Sequence, residues 1–212
     1  MEIVYQDKRI VVAVKPSGVL STDEPGGMPA LLRQALGTDC IRTVHRLDAP
    51  VSGLMVFARS AFAAADLSRQ IREKTFEKSY LAVLRTTQNL EENTLVDLLG
   101  RDREKRLTYV ADAPGKGVQE ARLTYKTLAS RNGLSLVRIE LLTGRTHQIR
   151  VQFASRNMPL VGDHRYGSAE DPIFPIALWS AHLAFRHPES GAPMVFDRLP
   201  PPIAPWNEFD LF

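Results

Sequence analysis

Two short segments of the chain combine the residue types that could do chemistry. The first covers residues 45–48 and reads HRLD, which places one acid and two potential cations directly before an apolar run that begins at Val51. Polar groups between apolar elements are a common source of chemistry, because a scaffold holds them rigidly while a short loop exposes them. On its own, however, Asp48 is more typical of a turn or a cap, since Asp near Pro commonly starts turns.

The second segment covers residues 143–150 and reads TGRTHQIR. It leads from a predicted strand through Gly144 into a helix that Thr146 is predicted to open. Backbone N–H groups at a helix start, with Arg145 and Arg150 beside them, are suited to an anion. An ordinary helix cap with surface arginines explains the same pattern, so the residues alone leave both interpretations open.

The elements that must position these segments follow from hydrophobic periodicity and turn signals. Strands outnumber helices and do not alternate strictly with them, which favours an α+β fold with a mixed, largely antiparallel central sheet and flanking helices over a doubly wound fold. We predict a hairpin over residues 3–14, strands over 51–58, 75–84, 121–129, 134–142 and 181–186, and helices over 30–36, 61–73 and from 146. No linker splits the chain, so residues 1–212 are predicted to form a single domain.

Composition and charge exclude several classes of protein. The 212 residues carry 27 Lys+Arg against 24 Asp+Glu, a net charge of +3, and 44% of them are hydrophobic. These values exclude a disordered, collagenous or coiled-coil chain. Cys40 is the single cysteine and cannot form an internal disulfide, and no signal peptide or membrane-spanning run is present, so we expect a cytoplasmic protein without a membrane partner. Five Arg against two acids in residues 138–166 suggest a polyanionic partner.

Several motifs follow one another in a fixed order along the chain. They are KPSG at 15–18, HRLD at 45–48, SGL at 52–54, KSYLA at 78–82, LTGRTHQIR at 142–150, Gly162-Asp163, Tyr166-Gly167, LAF at 183–185 and His187-Pro188. Together they resemble the RluA-type pseudouridine synthases over almost the whole chain. The resemblance is to the minimal members, which have a catalytic domain with a central RNA-binding cleft and no extra RNA-binding domain at the amino terminus.

The resemblance implies an isomerase that converts uridine in RNA to pseudouridine. The N1–C1′ bond breaks, the base rotates and C5 bonds to C1′, which requires a water-poor pocket. Asp48 holds the family's position for the nucleophile, and Arg145 the position for its partner cation. Tyr80 holds the position of an aromatic ring that stacks on uracil and assists proton removal at C5. Attack of Asp48 on C6 of the base and attack on C1′ of the sugar stay open.

The resemblance also implies an RNA substrate whose target base is flipped out of its helix. Arg46 matches the family residue that fills the vacated space, and Leu183 matches an apolar residue that packs under the base. Further substrate contacts are expected from the two signatures, at His45, Thr146, His147 and Arg150. The substrate class expected is a stem-loop of tRNA or large-subunit rRNA. The sequence does not indicate an oligomeric state, and a monomer is the default expectation.

Residues 86–118 differ in character from the rest of the chain. They are rich in Gly, Pro and charge, and include the run RDREKR at 101–106. This composition predicts an exposed, mobile insertion or a hairpin. A solvated surface loop and a segment that touches RNA are both compatible with it.

No cofactor or metal is expected. No Cys pair or His-x₃-His spacing joins the five His, no G-x-x-x-x-G-K-[ST] loop occurs, and isomerisation needs neither a redox partner nor an energy source. The alternative is a catalytically inactive RNA-binding protein on the same scaffold, which predicts loss of Asp48, Tyr80 or Arg145, and all three are present. A glycoside hydrolase would need two nearby carboxyl groups, and only Asp48 lies in a candidate site.

Overall fold

The computed structural model describes residues 1–86, 91–167 and 175–211 and divides the chain into two compact units. The first unit contains Met1–Ser79 and Trp179–Pro200, and the second contains Tyr80–Leu178 and Pro201–Phe212. The single domain over residues 1–212 stays a prediction.

Within the described residues, the α-helices are α1 (Met28–Leu36), α2 (Ala61–Arg72) and α3 (Gln148–Ala154), and a 3₁₀ turn covers Trp206–Glu208. The strands in the same residues are β1 (Glu2–Gln6), β2 (Ile10–Lys15), β3 (Arg42–Thr43), β4 (Ser52–Ala58), β5 (Glu77–Arg85), β6 (Asn93–Asp102), β7 (Leu107–Val110), β8 (Gln119–Arg131), β9 (Leu134–Leu141), β10 (Leu178–Arg186) and β11 (Pro193–Asp197). None of these helices has the length and apolar character needed to span a lipid bilayer.

The first unit is built on strands in the order β1-β2-β4-β10, with β3 paired to β4 and β11 paired to β10. All of these pairs are antiparallel except β4 with β10, which are parallel. Strands β2 and β4 are buried along nearly their whole length, because side chains on both of their faces are covered. The start of β4 therefore lies inside the unit, and the loop that precedes it ends at a rigid element.

Helix α2 and strands β2, β4 and β10 enclose the core of the first unit. The core includes Ile10, Leu54, Leu67 and Leu183, and Phe76 stacks on Phe185 with ring centroids 5.3 Å apart. The helix begins where the sequence predicts, because the Ser60 side chain accepts the Ala63 N–H at 3.1 Å. Apolar burial of this kind is the main stabilising contribution to a unit of this size.

Gly53 allows the parallel pairing of β4 with β10. Its φ of 117° lies in the region that favours glycine, and a Cβ added there would lie 2.4 Å from the Ser180 carbonyl oxygen. A side chain at this position would therefore separate the two strands. The glycine of the SGL motif thus has a packing role, five residues after Asp48.

The second unit is built on strands in the order β5-β9-β8-β6-β7. Strands β8 and β9 form a hairpin whose turn contains Asn132 and Gly133, with φ values of 52° and 74°. Strands β6 and β7 form a second hairpin, which carries the charged run 101–106 at its tip. Helix α3 packs against this sheet through Val151, which joins the Leu99 and Ala121 side chains in a small cluster.

The structure confirms the α+β class, the mixed and mostly antiparallel strand pairing, and the two predicted hairpins. It also resolves the alternatives for residues 86–118 in favour of a hairpin, although residues 87–90 lie outside the described residues. The short strands β3 and β11 were not predicted, because two residues and a Pro-initiated run carry little periodic signal.

The start of α3 was predicted wrongly. The helix begins at Gln148 rather than at Thr146, and His147 before it adopts a left-handed backbone with φ of 55°. The segment from Thr143 to His147 is instead a loop, in which the Gln148 side chain accepts the Thr143 hydroxyl and the Arg145 N–H.

Candidate functional site

The backbone on the amino-terminal side of Asp48 is fixed by Ser21. The Ser21 hydroxyl donates to the Leu47 carbonyl oxygen at 2.7 Å and accepts the Leu47 N–H at 3.0 Å. Ser21 is itself buried, and its carbonyl oxygen accepts the Thr43 hydroxyl at 2.8 Å. Two opposed hydrogen bonds to one residue leave little freedom for rotation, so the residue directly before Asp48 is held in place.

The backbone on the carboxyl-terminal side of Asp48 is fixed by the KPSG segment. The Ala49 carbonyl oxygen accepts the Lys15 ammonium at 2.9 Å and the Gly18 N–H at 2.8 Å. The Ser17 hydroxyl donates to the Pro50 carbonyl oxygen at 2.9 Å. Residues 15–21 therefore form hydrogen bonds to the loop on both sides of Asp48. We call this arrangement the Asp48 clamp.

Lys15 supplies the charge of the Asp48 clamp. Its side chain is fully buried, and its ammonium also donates to the carbonyl oxygens of Pro16 and Val19, at 2.9 and 2.6 Å. Burial lowers the pKa of Lys15 to about 8, and the negative charge of Asp48 opposes this shift. Lys15 is therefore mainly protonated at neutral pH, and its charge attracts the half-buried Asp48 carboxylate.

His45 is buried and neutral. Its Nε2 accepts the Val56 N–H at 3.1 Å, which leaves the ring proton on Nδ1, and its ring lies 5.5 Å from the Phe76 ring. Burial, together with the positive charge of Lys78, lowers the pKa of His45 to about 3. His45 thus ties the HRLD segment to β4, and its expected contact with substrate stays a prediction.

The other predicted residues of the first unit differ in exposure. Arg46 is exposed, as a residue that enters an RNA helix must be. Leu183 is fully buried in the core of the first unit and pairs with Phe196 across β10 and β11. The role of Leu183 under the target base stays a prediction.

Tyr80 and Arg145 belong to the second unit. Tyr80 lies on β5 and is only 4% exposed. Arg145 is half-buried, and its Nε donates to the Glu120 carbonyl oxygen at 2.9 Å. The pairing of Arg145 with Asp48 and the stacking of Tyr80 on uracil stay predictions.

The loop that carries Arg145 is closed by one side chain. The Gln148 amide oxygen accepts the Thr143 hydroxyl at 2.8 Å and the Arg145 N–H at 3.0 Å, while its amide nitrogen donates to the Arg122 carbonyl oxygen at 3.0 Å. Gln148 is 2% exposed, so these bonds are shielded from water. Position 145 is therefore set by the residue three positions later.

His147 and Thr146 are joined to the β6–β7 hairpin. The His147 Nδ1 lies 2.7 Å from the Tyr166 hydroxyl oxygen, which also accepts the Thr108 N–H at 2.9 Å. The Thr108 hydroxyl donates to the Thr146 carbonyl oxygen at 3.0 Å. These bonds connect the second signature to the hairpin, and direct contact of either residue with RNA stays a prediction.

Arg150 is buried, so the interpretation of residues 143–150 as an ordinary helix cap with surface arginines was wrong for this residue. It is 4% exposed, and its Nε and Nη2 donate to the two carboxylate oxygens of Asp163 at 2.8 and 2.7 Å. Its guanidinium carbon also lies 5.2 Å from the centroid of the Tyr166 ring. A bidentate buried pair of this kind fixes α3 to the loop at Asp163. Contact of Arg150 with substrate stays a prediction.

Sequence reasoning missed the groups that hold these residues. Ser21 has no local pattern that marks it as an anchor, because its partner Leu47 lies 26 residues away. Gln148 belongs to a family motif, but the motif does not show that its side chain bonds to Thr143, Arg145 and Arg122. Lys15 and Asp163 occur in motifs that the resemblance picked out, but the motifs did not say what each residue contacts. A buried charge needs a partner, and this rule alone would have prompted a search for the carboxylate that pairs with Arg150.

Comparison with known proteins shows which family the chain matches. Residues 9–155 match the RNA pseudouridylate synthase family. The chain is 34% identical over 198 residues to the RNA pseudouridine synthase YhcT of Bacillus subtilis, a match that covers 89% of this chain and 65% of that protein. It is 32% identical over 213 residues to the dual-specificity RNA pseudouridine synthase RluA of Yersinia pestis, with 92% of this chain and 97% of that protein covered.

A solved structure shows the same fold. The human RNA pseudouridylate synthase domain containing 1 superposes with a TM-score of 0.80 at 25% identity, covering 95% of this chain and 84% of that one. The motifs, the strand topology and these matches agree. The chain belongs to the RNA pseudouridylate synthase family.

Proposed function

We propose that this protein isomerises uridine to pseudouridine in structured RNA, with Asp48 as the nucleophile. The observation that carries the proposal is the Asp48 clamp, which holds the residues on both sides of Asp48 and places a buried ammonium where its charge acts on the carboxylate. Membership of the family supports the reaction class. A rigidly held carboxylate is what covalent catalysis requires, because attack depends on a fixed approach to the carbon.

The Asp48 carboxylate attacks as an anion, and positive charge near it is proposed to orient it. Lys15 attracts the negative charge from within the first unit. Arg145, which the family places beside the nucleophile, is proposed to add a second positive charge.

The chemistry rearranges one bond and one proton. The N1–C1′ bond breaks, the uracil turns while it is held in the site, and C5 bonds to C1′. The proton on C5 is then lost and N1 gains one, so no electrons enter or leave. Tyr80 is proposed to stack on the uracil and to assist removal of the C5 proton, for which its burial on β5 gives a dry setting.

RNA is proposed to be bound by exposed cations, with the target base flipped out at a cost of a few kcal/mol. Arg46 is exposed and is proposed to fill the space that the base leaves. The tip of the β6–β7 hairpin carries the exposed cations Arg101, Arg103, Lys105 and Arg106, and none of them is ion-paired within the described ranges. Such cations suit the phosphates of a stem-loop, for which we propose tRNA or large-subunit rRNA.

We place this reaction in the cytoplasm and assign it to a monomer. The name of the Yersinia pestis relative says that it has dual specificity, which supports a test on more than one RNA.

The test measures pseudouridine in tRNA and rRNA taken from cells that lack the protein. Purified wild type should convert a uridine, and Asp48→Asn should lower the rate by more than about a thousandfold, since the covalent route is removed. RNA affinity of Asp48→Asn should stay within about twofold of wild type. Asp112→Asn is the matched control, because Asp112 is exposed and far along the sequence from either signature.

Two outcomes would contradict the proposal. Wild-type protein that binds RNA without converting any uridine would indicate an inactive RNA-binding protein on this scaffold. Unchanged turnover in Asp48→Asn would show that another group is the nucleophile.

A further inference from the structure

A depression in the first unit lies beside the HRLD segment and shares Arg46 with the mechanism proposed above. It has a volume of about 510 Å³ and is lined by Thr22, Asp23, Ile41, Arg42, Thr43, Val44, His45 and Arg46. This volume falls in the range of sites that hold small molecules or single nucleotides. Arg46 lies two residues before Asp48, and two residues of chain span at most about 7 Å, so the depression adjoins the nucleophile.

The charge of the depression is positive. Arg42 and Arg46 are both exposed, and neither forms an ion pair with a carboxylate in the part of the chain that the structure describes. Asp23 is the acid in the lining, and Arg33 neutralises it with two hydrogen bonds of 2.6 and 2.9 Å. Two guanidinium groups without partners therefore define the electrostatic potential, which favours an anion.

One polar side chain of the lining is buried. His45 lines the depression and is 8% exposed, and its Nδ1 has no hydrogen-bond partner among the described residues. Because Nε2 accepts the Val56 N–H, Nδ1 carries the ring proton and is a donor without an acceptor. Because the Nδ1 atom is itself buried, it does not face the depression, and Arg42 and Arg46 supply the donors for an anion.

The walls add an apolar surface. Ile41 is 4% exposed, and the Val44 side chain packs on the core of the first unit. A site with guanidinium donors and an apolar wall matches a nucleotide, which has an anionic phosphate and a flat base. An inorganic anion would use the cations but leave the wall and most of the volume empty.

We propose that this depression binds a nucleotide of the RNA that neighbours the target uridine, with its phosphate on Arg42. This inference rests on the proposed function for its choice of RNA. Arg42 lies outside both family signatures, so it would be a substrate-binding residue that the motifs do not mark. Its position on β3, which pairs with β4 at Ala58, gives the guanidinium a rigid base.

The test measures binding of a fluorescent 12-nucleotide poly-uridine RNA to the full chain at several salt concentrations. Arg42→Gln should weaken the Kd by about threefold to tenfold and lower the salt slope by about 0.7, the value for loss of one phosphate contact in a single strand. Arg42→Lys should keep the slope and lose part of the affinity, because it retains the charge without the bidentate geometry. Arg72→Gln, at an exposed arginine on α2, is the control and should match wild type.

Turnover gives a second readout on the RNA that wild type modifies. Arg42→Gln should raise KM by more than it lowers kcat, since the contact is made with bound substrate throughout the reaction. An unchanged Kd and salt slope in Arg42→Gln, or no binding of the RNA by wild type, would overturn the inference. Failure of wild type to isomerise uridine would instead overturn the proposed function, while the salt slope would still decide the role of Arg42.

Discussion

The two units each bury a cation beside a family signature, and they do so in different ways. In the first unit, the Lys15 ammonium donates to three carbonyl oxygens, of Pro16, Val19 and Ala49, all of which are neutral. In the second unit, Arg150 donates to the ionised Asp163 in a bidentate pair. Both cations are at most 4% exposed.

The pKa values show the consequence of this difference. Burial lowers the pKa of Lys15 to about 8, because neutral carbonyls compensate its charge only in part. Burial raises the pKa of Asp163, but hydrogen bonds from Arg150 and from the N–H groups of Arg165 and Tyr166 outweigh it, and the pKa lies below its ordinary value. Arg150 and Asp163 therefore cancel each other's charge and act as a structural link, whereas the charge of Lys15 remains available to Asp48.

Removal of one charge from the buried ion pair should have the largest effect on stability. Asp163→Asn leaves the Arg150 guanidinium buried without a counter-charge, and the free energy of unfolding should fall by about 3–5 kcal/mol. Urea denaturation measures this change in the free energy of unfolding. Asp97→Asn is the control, because its partner Arg156 has a side chain that is 31% exposed, and the loss should be about 1 kcal/mol or less. Equal losses in the two variants would contradict the assigned structural role.

Removal of Lys15 should cost less stability and more activity. Lys15→Met leaves carbonyl oxygens without a donor but no buried charge, so the free energy of unfolding should fall by about 1–3 kcal/mol. The rate of pseudouridine formation should fall by about a hundredfold, because the loop that carries Asp48 loses one side of its clamp. Lys8→Met, at an exposed lysine, should leave both quantities unchanged. If Lys15→Met lost as much stability as Asp163→Asn, the two buried cations would not differ in the way described above.

The buried neutral imidazole of His45 in the first unit should make the stability of the protein depend on pH. The folded-state pKa of His45 is about 3 and lies below its ordinary value of 6.5, so the unfolded chain binds a proton first as the pH falls. Stability should therefore decrease from pH 6.5 toward pH 3, by up to about 1.4 kcal/mol per pH unit from this one group. Urea denaturation at pH 7, 6, 5 and 4 should show a smaller decrease in His45→Gln.

The control for that experiment is His164→Gln, because His164 is exposed. The pH dependence of this variant should match wild type. A decrease of equal size in wild type and His45→Gln would show that the buried imidazole is not the group responsible.

The smallest effect is expected at the other side of the Asp48 clamp. Ser21→Ala removes two hydrogen bonds to Leu47 and should lower stability by about 1 kcal/mol and kcat by about tenfold. Ser21→Thr keeps the hydroxyl and should recover most of kcat, which a purely structural defect would not. Ser155→Ala is the control, because Ser155 is exposed and its hydroxyl donates to the Gln152 carbonyl oxygen in the second unit. A normal kcat in Ser21→Ala would show that Lys15 holds the loop alone.

Much of the fold could be predicted because its signals are local. The Asn132-Gly133 turn fixes one hairpin, Ser60 caps α2, and the apolar run from Val51 marks a buried strand, each within a few neighbouring residues. The family signatures predict Asp48 as the nucleophile, and this role stays a prediction. The prediction that α3 begins at Thr146 failed because the Gln148 side chain bonds to the preceding loop. That hydrogen bond competes with helix formation in the loop.

The sequence by itself determined the class of fold, the order of the motifs and the residue types available for chemistry. Tertiary structure decided which groups hold them: Ser21 reaches Leu47 across 26 residues, Lys15 reaches Ala49 across 34, and Arg150 meets Asp163 across 13. Hydrogen bonds and ion pairs act over a few ångströms, so such partners become apparent only when folding brings distant segments together.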